Sequence, residues 1–77
     1  MPAHGEVFIE LLGPRPVFII ARLKDISTGG FRASHSSPFL ESGQQVRFNH
    51  DGASGTARVA WNRSVEGKWE SGFFLVG

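Results

Sequence analysis

Leu23–Arg32 reads LKDISTGGFR: a strand end, a polar turn with paired glycines, and a return to alternating residues. Within it Asp25, Ser27 and Gly30 form the pattern D-x-S-x-x-G. Asp and Ser side chains bond back to nearby backbone amides and so favour turns. Glycine permits positive φ or the close approach of another chain or a ligand. A well-made β-turn accounts for these residues. So does a turn that offers a carboxylate, a hydroxyl and bare backbone to a polar planar ligand such as a guanine edge, whose adjacent N–H donors suit a carboxylate. The rest of the chain has to decide between them.

Outward from this turn the pattern is one of short strands. Glu6–Leu12 (EVFIELL) is rich in β-formers, and although its length would suit a helix, Gly13-Pro14-Arg15-Pro16 ends it sharply. Val17–Leu23 (VFIIARL) is β-branched and apolar on both faces, as in a buried strand. Gly30–Ser34 follows the turn, and Ser34–Gly43 is a loop in which Phe39 and Leu40 should tuck inward. Gln45–Asn49 alternates, with Val46 and Phe48 inside. A hairpin loop around Asp51-Gly52 leads to Thr56–Asn62, whose Ala57, Val59 and Trp61 share one face and are expected in the core. A polar turn over Arg63–Lys68 precedes the last strand, Trp69–Val76. Six strands at short regular spacing predict an all-β barrel or sandwich.

The bulk composition narrows the function. Seventy-seven residues make one small domain, 1–77, which buries only about 60% of its unfolded surface. The 40% hydrophobic fraction, with 7 Phe and 2 Trp, still fills a core. Eight Lys plus Arg against 7 Asp plus Glu give a net charge of +1, which argues against binding duplex nucleic acid. Without cysteine there is neither a disulfide framework nor thiolate chemistry. No basic leader and no membrane-length apolar run occur in the sequence, and the expectation is a soluble, cytoplasmic protein.

Enzyme chemistry finds no frame here. His4, His35 and His50 stand apart from one another, so no metal site is expected. A triad of Ser, His35 and Asp51 lacks any local signature, and no phosphate-binding glycine loop opens a helix. The tryptophans and arginines could serve a small single-strand nucleic-acid barrel, but core and rim aromatics explain them better.

DISTGG between two strands, FLESGQQVRF some ten residues on, ARVAW next and a closing G-F-F strand resemble the PilZ domain over about Glu6–Val76. The resemblance implies a six-stranded antiparallel split barrel, non-enzymatic and without cofactor, that acts in bacterial signal transduction as a receptor for cyclic di-GMP. It places Asp25, Ser27 and Gly30 in the family's second binding motif, with Arg22 as a candidate cation beside them. The first motif, R-x-x-x-R, should precede the first strand, where Met1–Gly5 holds no arginine; the family's C-terminal helix is also missing from the sequence. Arginine clamps phosphate and stacks on guanine in ways other side chains do not reproduce. Cyclic di-GMP binding is therefore expected to be weak or absent. Some members of the family act through protein partners without the nucleotide. The strands that are apolar on both faces also predict an outer patch for a homodimer or a docked protein, centred on Phe18, Ile20 and one of Phe73 and Phe74.

Overall fold

The computed structural model describes residues 5–37, 40–50 and 53–76. Six strands, β1 (Glu6–Leu11), β2 (Val17–Ser27), β3 (Gly30–His35), β4 (Gln45–His50), β5 (Ala53–Val65) and β6 (Lys68–Val76), pair antiparallel throughout. They close in the order β1-β2-β3-β6-β5-β4, with β1 bonded to both β2 and β4. The fold class expected from the strand spacing is the one observed, and Glu6–Leu11 is a strand. No helix occurs among the described residues.

Alternation decides what lies inside. Val7, Ile9 and Leu11 of β1 are buried, as are Ile19, Ala21 and Leu23 of β2 and Val46 and Phe48 of β4. Phe31, Ala33, Ala57, Val59 and Phe73 complete the wall lining, and Leu40 reaches in from the loop as expected. Phe39 and the Asp51-Gly52 turn lie outside the described residues. Phe31 stacks on Phe73 with ring centroids 4.6 Å apart and tilts against Phe48 at 5.0 Å. Such aromatic pairs add about 0.5–1.5 kcal/mol each beyond area burial, which pins the start of β3 to β6 and β4.

Several boundaries differ from expectation. The expected DISTGG turn is mostly strand: β2 continues to Ser27, Ser27 pairs with Gly30, and only Thr28-Gly29 turns. Likewise β5 runs to Val65 and pairs with Lys68, which leaves Glu66-Gly67 as the turn. Both of these residues have positive φ, 50° and 81°, as a two-residue type I′ hairpin requires. Gly30 is not among the positive-φ residues. It is needed for close approach instead, because a Cβ there would overlap the carbonyl of Phe73 on the neighbouring strand.

Two bulges break the alternation. The β2–β3 register shifts between Leu23 and Asp25, and the β5–β6 register shifts between Val59 and Trp61. An extra residue in one strand reverses which face the following side chains meet. After the first bulge Ile26 packs on the core, while Asp25 and Ser27 leave it. After the second, Trp61 stands on the outer wall, 38% exposed, and not in the core where its spacing from Val59 placed it.

Candidate functional site

The two bulges act on the same patch of the outer wall. A groove of about 370 Å³ is lined by Asp25, Ser27, Gly29, Gly30, Arg32, Trp61, Gly72 and Phe74. Four strands contribute, with β3 and β6 as the floor, β2 on one side and β5 on the other. Gly72 makes room for the indole of Trp61, since a Cβ at Gly72 would overlap the ring. Phe74 stands beside it, 61% exposed. The groove thus presents two aromatic side chains, a carboxylate and a hydroxyl.

Charges cross the floor in a ladder. The Asp25 carboxylate is 3.6 Å from a terminal nitrogen of Arg32, and the other terminal nitrogen of Arg32 is 3.7 Å from Glu70. Arg63 donates to the same Glu70 oxygen from Nε at 3.1 Å and Nη2 at 2.6 Å. Its guanidinium carbon lies 5.3 Å from the ring centroid of Trp61, in cation–π range. The Asp25–Arg32 contact is longer than a good hydrogen bond and sits at a half-exposed surface. Among the described residues the buried Nε of Arg32 has no acceptor. Ser27 Oγ lies 3.4 Å from the carbonyl of Gly30, a long contact that leaves the hydroxyl available.

Asp25, Ser27 and Gly30 line this one groove, and Arg22 does not join them. Arg22 lines a separate groove of about 640 Å³ with Glu6, Lys24, His35, Lys68 and Glu70. It lies on β2 before the bulge, opposite Ser34, and the bulge separates it from Asp25. Trp61 is the residue that sequence patterning assigned to the core and the structure assigns to the site. Only the pairing register records the bulge responsible.

The expected partner surface also divides. Phe73 is 3% exposed and belongs to the core, so it is removed from the outer set; Phe74 takes the outward position. Phe18 and Ile20, 75% and 62% exposed, join Phe8 at 51% on the outside of β1 and β2, where Phe8 pairs with Ile20. They border a second groove of about 430 Å³ that extends over Arg47 and Asn49 of β4. Phe74 is not part of this patch; it pairs with Gly30 and Arg58 and borders the first groove.

One polar cluster lies inside the barrel. His35 is 4% and Ser71 0% exposed, and His35 Nε2 is 2.8 Å from Ser71 Oγ. The Ser37 N–H donates to His35 Nδ1 at 3.2 Å. Because Nδ1 accepts, the neutral ring carries its proton on Nε2 and donates to Ser71. The Ser71 hydroxyl donates onward to Asn62 Oδ1, and Asn62 Nδ2 donates to the Leu40 carbonyl at 3.0 Å. A nucleophilic serine needs a base that accepts its proton and a path to substrate. Here His35 is the donor and Ser71 is sealed, which gives the pair a structural role. Among the described residues no group of three His, Cys, Asp or Glu side chains could hold a metal ion, and no helix is long and apolar enough to cross a membrane.

Comparison with protein-family models, curated proteins and solved structures gave no match to this chain.

Proposed function

We propose that this barrel is a non-enzymatic PilZ-type signalling module of the bacterial cytoplasm, whose outer groove accepts a guanine base of cyclic di-GMP weakly. The observation that carries this is the convergence of Asp25, Ser27 and Trp61 on one open groove. A carboxylate has acceptor capacity for the paired N–H donors of guanine, and an indole offers a stacking face. The resemblance of the D-x-S-x-x-G segment to the family's second motif supports the same ligand. Met1–Gly5 hold no arginine of the kind that would clamp the phosphates. Each charge-assisted contact of that kind contributes about 1.5–3 kcal/mol, so losing two weakens binding roughly a hundredfold or more. The ligand is therefore expected to bind at micromolar concentrations or above. Calorimetric titration with cyclic di-GMP tests this: a submicromolar constant removes the weak-binding argument, and heat unchanged by Asp25→Ala removes the site.

The second reading is a nucleotide-independent interaction barrel. It is favoured by the exposure of Phe8, Phe18 and Ile20 together on β1 and β2, since contiguous apolar patches mark interaction surfaces. A second copy of the chain is the simplest occupant, because a two-fold contact lets one patch cover itself. Salt-sensitive oligonucleotide binding would instead favour a small nucleic-acid barrel.

A further inference from the structure

The outer groove is crossed by a single row of paired residues. Asp25 pairs with Arg32, Arg32 with Gly72, and Gly72 with Trp61, so β2, β3, β6 and β5 each give one member. Residues directly opposite each other project from the same face of a sheet, and all four line the groove. The indole of Trp61 lies over Gly72, one strand from Arg32. Along β3, the residue two before Arg32 is Gly30, which has no side chain either. Between the indole and the carboxylate, then, stands one long side chain, that of Arg32.

This guanidinium has more donors than the protein uses. Its contacts with Asp25 and Glu70, at 3.6 and 3.7 Å, are both longer than hydrogen bonds. Glu70 takes its hydrogen bonds from Arg63 instead, at 3.1 and 2.6 Å. Among the described residues the Arg32 Nε has no acceptor. The side chain is 39% exposed and lines the groove.

We propose that Arg32 determines which base the groove accepts, donating to O6 and N7 of guanine while Asp25 takes the N–H donors beside them. The assignment rests on the outer groove being a guanine site. Guanine presents N7, O6, N1–H and N2–H in sequence along its rim, two acceptors and then two donors. A guanidinium beside a carboxylate offers the complementary order, donors and then acceptors. Adenine reverses the two central groups. Its N6 amino group would meet the Arg32 donors, and its N1 lone pair would meet the Asp25 carboxylate. Donor then faces donor and acceptor faces acceptor, and both charged groups lose their bonds. Trp61 cannot supply this choice, because every base has a face that stacks. Lysine in place of Arg32 would not supply it either, since an ammonium lacks the planar fork.

The test is calorimetric titration of the full chain with cyclic di-GMP and with cyclic di-AMP. It compares the unmodified protein with Arg32→Gln and Arg32→Lys, each first shown by urea unfolding to be folded. The unmodified protein should prefer cyclic di-GMP by roughly five- to 150-fold, the discrimination of one good bidentate contact to a base. Both variants should lose most of that preference, chiefly through weaker binding of cyclic di-GMP. Should Arg32→Gln not fold, Arg32→Lys, which keeps a cation facing Asp25 and Glu70, decides the matter. An unchanged preference, in a protein whose binding still depends on Asp25, would overturn the role of Arg32 and leave the guanine site standing. Equal weakening of both ligands would make Arg32 a general anion contact and overturn it as well. If the unmodified protein binds neither ligand, the guanine site itself falls, and this assignment with it.

Discussion

Trp61 occupies the space that a side chain on Gly72 would fill. The glycine of β6 and the tryptophan of β5 are paired in the register just past the β5 bulge, so the bare backbone of one strand is the seat of the other's indole. Gly30 stands in an analogous relation to Phe73, except that the obstacle is a backbone carbonyl. A side chain can swing aside, whereas a carbonyl in a closed ladder cannot.

The two glycines are therefore expected to respond differently to the same added methyl. Gly72→Ala should displace Trp61 at a cost of about 1 kcal/mol and change the tryptophan fluorescence. Gly30→Ala should force β3 and β6 apart and cost about 3 kcal/mol, the upper range for overpacking. Urea unfolding of the two variants checks the order. Equal costs would mean that β6 accommodates the methyl at Gly30 by sliding.

Trp61→Ala should cost about 1 kcal/mol of stability, because the 38% exposed ring still packs on the bare backbone of Gly72 and under Arg63. Base stacking contributes about 1–3 kcal/mol per base, so nucleotide affinity should fall by roughly five- to 150-fold. Calorimetry on the two proteins gives the ratio. An unaltered affinity would place the base elsewhere on the barrel.

Phe18→Ser is expected to shift stability by less than about 0.5 kcal/mol, given that the side chain is 75% exposed. If β1 and β2 form a self-association surface, the same change should turn an associating protein at tens of micromolar into a monomer by sedimentation. An identical sedimentation profile for both proteins would exclude Phe18 from the contact.

Stability should fall as pH drops from about 7.5 to 5.5. The folded His35 binds a proton less readily than the unfolded chain does, so over this range the unfolded state takes up more protons. The contribution of this residue is present in full above about 6.5 and is lost progressively as pH falls below it. Urea midpoints at constant m-value measure the loss. Ser71→Ala should cost about 1–3 kcal/mol at pH 7.5, since it strands the His35 Nε2–H and the Asn62 carbonyl oxygen in the interior.

Residue patterning was enough to read the strands, most of the core and one edge of the candidate site. Alternation places Val46, Phe48, Ala57 and Val59 inward, and it carries no further than the next bulge. D-x-S-x-x-G marked Asp25, Ser27 and Gly30 because glycine, Asp and Ser leave local signatures. It misassigned their setting as a turn, since Ser27 and Gly30 close a tighter hairpin than the six-residue motif suggested. That Trp61 faces outward, that Phe73 faces inward and Phe74 outward, and that Arg22 stands apart from Asp25 emerged once the strands were paired. The same pairing joined His35 to Ser71, 36 residues away. A bulge is a mismatch between two strands, and a hydrogen bond across a closed barrel is a meeting of distant ones. Neither is a property of any single stretch of chain, so both come into being only when the strands pair.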